Sequence, residues 1–231
     1  MLSTPGPIPS SPPALDTGDD VLVARVRAGE LAAFELLMRR HNQRLYRLVR
    51  SVLHDDAEVE DVMQETYCAA FSHLDRFEGR ATFLTWLLTI GRNEALARRR
   101  RRARLVAVGE LPHEESEPME SVPVRTPEER AASHEMVALV EAALDRLPDD
   151  YRQVFALRVL DSLDTAETAA VLGVSEDAVK QRLHRARALL QGEIEARVGV
   201  ALESAFGFLG PRCDRVVAAV MRRISRGNGD E

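Results

Sequence analysis

The stretch that most limits what this chain can fold into is residues 61–104, DVMQETYCAAFSHLDRFEGRATFLTWLLTIGRNEALARRRRRAR. Leading into it and through its first half, Leu48, Val52, Val59, Val62, Met63, Ala70 and Phe71 recur every three to four residues. That is the period of a helix with one apolar face. Asp61, Gln64 and Glu65 fall on the other side of this helix. After the turn-like DRFEGR, a second helix is predicted from Ala81 or Thr82, burying Phe83, Leu84, Leu87, Leu88 and Ala95. Thr85, Thr89, Arg92 and Asn93 make its polar stripe, which runs into Arg98 to Arg102 and Arg104.

These helices carry different chemistry on their outer faces. The first presents carboxylates, suited to a basic protein surface. The turn and the second helix combine Phe77, Arg80 and Trp86 with a hydrogen-bonding stripe and seven Arg between Arg92 and Arg104. Aromatic faces stack unpaired bases and guanidinium groups follow phosphates, so the combination fits a nucleic-acid strand. Each feature alone has a plainer reading: Trp86 as core, and the Arg run as a solvated helix end favoured by the helix dipole.

A formal charge of -6 argues against nucleic acid only if the chain is taken as a whole. Its Arg clusters and acidic segments are separated in sequence, and local fields govern binding. With 45% apolar residues, the 231-residue chain can bury cores for one or two domains. Cys68 and Cys213 have neither CxxC nor Cys/His ligand spacing, which suggests no disulfide framework, no metal site and a reducing cytoplasm. No apolar run approaches a membrane span, and no secretory leader is evident. No nucleophile and base set or Gly-rich phosphate loop emerges, so an enzyme is not expected, and no cofactor is implied.

In chain order, residues 1–18 are rich in Pro, Ser, Thr and Gly and are expected to be disordered. Asp19 or Asp20 then caps a helix ended by Ala28-Gly29, and a longer helix follows from Leu31. Together with the two helices above these form a domain over 19–104. Residues 105–130, with seven glutamates against two arginines, read as a flexible acidic linker. A second helical domain spans 131–192, with Asp149-Asp150 capping one of its helices. The fold expected is all-α: two small helical domains joined by the linker, plus a short helical tail over 193–231.

The second domain contains DTAETAAVLGVSEDAVKQRLHRARALL. Ala166, Ala169, Ala170 and Leu172 form a short helix, Gly173 turns, and Ser175 caps a helix whose Val179, Leu183, Ala186 and Leu190 face inward. This is a helix-turn-helix pattern. The outer face of its second helix carries Lys180, Gln181, Arg182, His184, Arg185 and Arg187, residue types that read base edges and phosphates in the major groove.

With both surfaces in view the chain resembles an RNA polymerase sigma factor of the sigma-70 family, in the extracytoplasmic-function (ECF) group that keeps only domains two and four. The resemblance rests on DVMQETYCAAF, LDRFEGRATFLTWLLTIGRN and LDRLPDDYRQVFALRVLDSLDTAETAAVLGVSEDAVKQRLHRARALL. It implies that Asp61, Gln64 and Glu65 dock on core RNA polymerase. It implies that Phe77, Glu78, Gly79 and Arg80 form a loop capturing a flipped minus-10 base, with Trp86, Thr89, Arg92 and Asn93 along the single strand. It also implies that Ser175, Lys180, Gln181, Arg182, His184 and Arg185 meet the double-stranded minus-35 element. An anti-sigma protein is a further implied partner. Phe71 stands where the family often has Trp, and Thr168 where a larger aliphatic residue is common.

The competing function is a helix-turn-helix repressor or activator working without polymerase, which leaves residues 61–104 without a purpose. In the tail, Val216, Val217, Val220, Met221 and Ile224 have helical spacing. They predict an amphipathic helix packed on the second domain, with regulation through a partner or through Cys213 oxidation as the sharper alternative.

Overall fold

The computed structural model describes residues 17–107, 140–190 and 211–227. The disordered segment expected at the N-terminus, most of the linker, the start of the second domain and the first part of the tail lie outside these residues. Among the described residues every regular element is helical.

The first domain holds α1 (Asp19–Arg27), α2 (Leu31–Arg50), α3 (Asp56–Ser72), a 3-10 turn (Leu74–Arg76) and α4 (Phe83–Ala107). Its core is built by the residues whose periodicity predicted it: Leu22, Phe34, Leu37, Met38, Leu45, Leu48, Val59, Val62, Met63, Phe83, Leu87 and Leu88 are buried. Burial of each such side chain contributes roughly 1.5 to 3 kcal/mol. Asp55 caps α3 by accepting from the Glu58 amide at 2.9 Å, and Thr82 Oγ1 accepts from the Thr85 amide at 3.1 Å at the head of α4. Phe71 meets Phe34 edge-on with centroids 5.2 Å apart, so a ring smaller than Trp still fills that corner.

Two capping expectations are corrected. Gly18, not Asp19 or Asp20, precedes α1. The Asp19 carboxylate instead reaches across to α2, accepting from Arg40 at 2.5 Å and meeting His41 Nε2 at 2.8 Å. Burial works against its ionisation, yet these two partners hold the carboxyl below its usual range. Likewise Pro148 is the residue before the helix that Asp149 and Asp150 were expected to cap. Proline suits that entry, and the carboxylates lie in the first turn, where they favour the helix dipole.

The second domain runs through helical residues 140–145 (α5), α6 (Asp149–Phe155), a π turn (Ala156–Leu160), α7 (Thr165–Leu172) and α8 (Glu176–Leu189). Asp164 and Glu167 form a capping box at the start of α7. Gly173 ends α7 with φ 63°, a left-handed value that other residues adopt only with strain, and so sets the turn into α8. Thr168 is fully buried and donates its hydroxyl to Asp164 O at 2.8 Å, which reconciles a polar residue with a position suited to an aliphatic one.

The two domains are in contact. Helix α7 packs on α4, and the π turn packs on α2. Arg47 on α2 donates to Asp161 at 2.9 Å and to Leu160 O at 3.0 Å. Arg50 grips Asp145 with two bonds of 3.0 and 2.8 Å, and Arg152 reaches His54 Nε2 at 3.1 Å.

The tail helix α9 (Pro211–Gly227) corrects a further expectation. Among the described residues it packs on α2 and α3 of the first domain, where the expectation put it on the second. Its apolar face is as the spacing predicted, with Val216, Val217, Val220 and Ile224 buried. Cys213 is also buried there, taking a hydrogen bond from Asn42 Nδ2 at 2.9 Å, so it is not displayed to oxidants as a reactive thiol would be.

Candidate polymerase and nucleic-acid interface

Helix α4 organises the candidate site because its arginines fall on different faces at helical spacing. Arg98 and Arg102, four apart, turn to α3: Arg98 bonds Glu65 at 3.0 Å and lies 3.9 Å from Asp61, while Arg102 bonds Glu58 at 3.0 Å. Arg92 and Arg99, seven apart, turn to the second domain, where Arg92 Nε donates to Gln153 at 3.0 Å and Arg99 pairs with Asp149. Arg100, Arg101 and Arg104 are exposed, on the side that also carries exposed Asn93. The Arg run, read from sequence as one phosphate-tracking surface, is therefore divided among three tasks.

The close approach of α4 to α2 and α3 depends on Gly91. A Cβ there would lie 2.5 Å from Leu45 Cδ1 and 3.5 Å from Thr66 Cγ2, so no larger residue fits without movement. This seats Trp86, one turn before Ile90, at the exposed end of the aromatic cluster. Trp86 is half-buried and packs against Phe77 and Phe83 with centroids 5.2 and 5.9 Å away.

The loop before α4 is held from below. Phe77 is buried and meets Phe83 edge-on at 6.0 Å, so its ring supports Trp86 and is not displayed for stacking as the sequence had suggested. Thr85, expected in the polar stripe, is also buried and bonds Thr82. Thr89 is partly exposed and donates its hydroxyl to Thr85 O at 2.8 Å. Beyond Phe77 the chain turns outward: Glu78 and Arg80 are exposed and paired at 2.5 Å, with Gly79 between them at φ 71°. Arg27 at the end of α1 donates to Leu74 O at 2.7 Å and to Phe77 O, pinning the loop to the body. No sequence signal singled out Arg27, since a lone Arg in a last helical turn is common.

On α3, Asp61 is exposed and Gln64 and Glu65 are partly exposed, so the three stand together on the surface as spacing required. On α8, Lys180, Gln181, His184, Arg185 and Arg187 are exposed together. Arg182 turns from that group to bond Asp150 at 2.8 Å. The Ser175 hydroxyl accepts from the Ala178 amide at 3.2 Å, serving the helix as its cap. Arg185 donates to the Tyr151 hydroxyl at 3.3 Å. Among the described residues there is no His, Cys, Asp and Glu cluster suited to a metal ion, and no helix long and apolar enough to cross a membrane.

Both helical units correspond to known families. Residues 37–105 match sigma-70 region 2 and residues 138–190 match sigma-70 region 4. The ECF RNA polymerase sigma-E factor of Escherichia coli K12 is 33% identical over 187 residues, covering 77% of this chain and 94% of that protein. The RNA polymerase sigma-H factor of Pseudomonas aeruginosa is 31% identical over 173 residues, covering 73% and 90%. Among solved structures, CnrH in complex with the cytosolic domain of CnrY is 30% identical with a TM-score of 0.53, over 79% of this chain and 97% of CnrH. RpoE in complex with the anti-sigma factor NepR from Bartonella quintana is 26% identical with a TM-score of 0.54, over 66% and 89%.

The chain thus belongs to the sigma-70 family of RNA polymerase sigma factors. Within that family it is a member of the ECF group, a promoter-recognition subunit that binds core RNA polymerase.

Proposed function

We propose that Asp61, Gln64 and Glu65 on α3 dock on core RNA polymerase, while α4, its preceding loop and α8 divide the promoter between them. In this reading Glu78, Gly79 and Arg80 rim the pocket for a flipped minus-10 base, and Phe77 is its floor. Trp86, Thr89 and Asn93 line the melted strand, and Arg92 joins them once its bond to Gln153 is given up as the domains part. Lys180, Gln181, His184 and Arg185 read the minus-35 duplex, with Ser175 and Arg182 holding α8 in place. The domain limits proposed are 19–104 and 131–192, with 105–130 as the linker. The protein acts in the cytoplasm as a non-catalytic subunit.

The observation that supports this most is the separation of chemistry across α3 and α4. Arg98 and Arg102 neutralise one side of the acidic helix, leaving Asp61 largely exposed, while Arg100, Arg101 and Arg104 remain exposed. One helix pair thereby offers acid to a protein and base to a phosphate backbone.

Promoter binding requires domains two and four to reach elements separated along DNA. The contacts between α4 and α7 hold them together in the free chain, so polymerase binding separates them. An anti-sigma protein, such as the NepR bound to RpoE, fits as a partner that preserves a closed form. Asp61→Arg with Glu65→Arg tests the docking assignment. Loss of core binding, with α8 still binding minus-35 duplex, supports it; undiminished core binding rejects it.

A further inference from the structure

Helix α9 packs against the helix proposed to dock on polymerase, and polar contacts hold its first turn there. Arg215 Nη2 bonds Glu60 on α3 at 2.8 Å. This bond fixes the first turn of α9 beside Glu60.

On its other flank α9 is tied to α2 by Asp214 with Arg39 at 2.9 Å and by Cys213 with Asn42. Buried Val216, Val217, Val220 and Ile224 supply the apolar seam. Glu60, Gln64 and Cys68 recur at four-residue spacing and so form one stripe of α3. Asp61 and Glu65 each adjoin this stripe on α3.

We propose that the α2–α3 face is a helix-binding groove whose occupant in the free chain is α9, and that α9 competes in cis with core RNA polymerase for α3. The occupant is named by the structure itself: α9 matches the groove in charge on both flanks and in apolar side chains between them. Docked, α9 packs on α3 and ties Arg215 to Glu60, the residue that precedes Asp61 and lies one turn from Gln64. Undocked, it releases that stretch of the helix for a partner. Apparent affinity for polymerase is then proportional to the fraction of molecules with α9 undocked, and falls as α9 docks. This inference rests on the assignment of α3 to polymerase docking.

The test measures core polymerase binding by the full chain in two opposed variants. Val216→Asp with Val220→Asp places charge in the seam and releases α9, and it is expected to tighten binding about ten-fold. Asn42→Cys with Cys68→Ser leaves residues 42 and 213 as a thiol pair that staples α9 to α2 on oxidation. The oxidised form is expected to lose most core binding and to regain it on reduction. A staple that binds equally well oxidised and reduced overturns the proposal, and so does a folded Val216→Asp, Val220→Asp chain that binds no tighter. The staple decides alone if the seam variant fails to fold. Asp61→Arg with Glu65→Arg, measured alongside, separates the outcomes: unchanged binding there removes the α3 assignment itself, whereas lost binding there with no effect of α9 removes only the competition.

Discussion

Arg47 and Asp161 are 114 residues apart in sequence and joined by a buried hydrogen bond of 2.9 Å between the two domains. Burial pushes the Asp161 carboxyl up to about 7, against the opposing pull of Arg47. With its pKa raised, the closed protein keeps a proton that the open or unfolded chain releases above about pH 4. The stabilisation is present in full below that point and is lost as pH rises toward 7. Asp161→Asn, which resembles the protonated acid, should therefore gain thermal stability relative to the parent between about pH 5 and pH 8, by up to a few kcal/mol. Melting curves across that range check this, and a pH-independent difference would count against it.

Gly91 makes a second expectation. Its missing Cβ leaves room for Leu45 Cδ1, which a methyl group would meet at 2.5 Å. Although alanine favours helix, Gly91→Ala should destabilise the first domain by about 1 to 3 kcal/mol through overpacking. Denaturant unfolding of parent and variant measures the balance, and a stabilised variant would show that α2 yields easily.

Much of this was legible in the sequence, and what was not has identifiable causes. Apolar periodicity located α2, α3, α4, the helix-turn-helix and the apolar face of α9, because one-sided burial imposes a helical period. It could not show which partner a face meets, so α9 was placed on the wrong domain. Asp19 and Asp149 look like caps in sequence, yet the first bonds His41 and Arg40 from a neighbouring helix and the second bonds Arg152 and pairs with Arg99. The Arg run showed its charge but not its division among α3, the second domain and solvent. The π turn at Ala156–Leu160, which brings Asp161 to Arg47, has no local signature in an ordinary apolar helix sequence.

Trp86 separates strand opening from polymerase binding. Its ring rests on Phe77 and Phe83 and remains partly exposed. Trp86→Ala should weaken open-complex formation by about 1 to 3 kcal/mol, the range for a base stacked on an aromatic ring. Permanganate reactivity of unpaired thymines, compared with core binding by the same variant, reads the two effects apart. Equal loss in both would indicate a damaged fold instead.

Arg185 distinguishes base reading from phosphate attraction on α8. It is exposed, and its hydrogen bond to Tyr151 can be exchanged for DNA. Arg185→Ala should cost about 1 to 3 kcal/mol on the preferred minus-35 sequence and relax discrimination at one base pair. Binding to a set of single-base operator variants measures this. Uniform weakening across the set would assign Arg185 to phosphate.

The central claim is that one chain directs polymerase to promoters through two separate DNA surfaces. Its most direct test adds the purified chain to sigma-free core RNA polymerase on fragmented genomic DNA and maps the RNA 5′ ends. The account requires initiation at discrete sites that share two upstream elements. DNA binding by the chain alone, with no initiation when core polymerase is present, would contradict it.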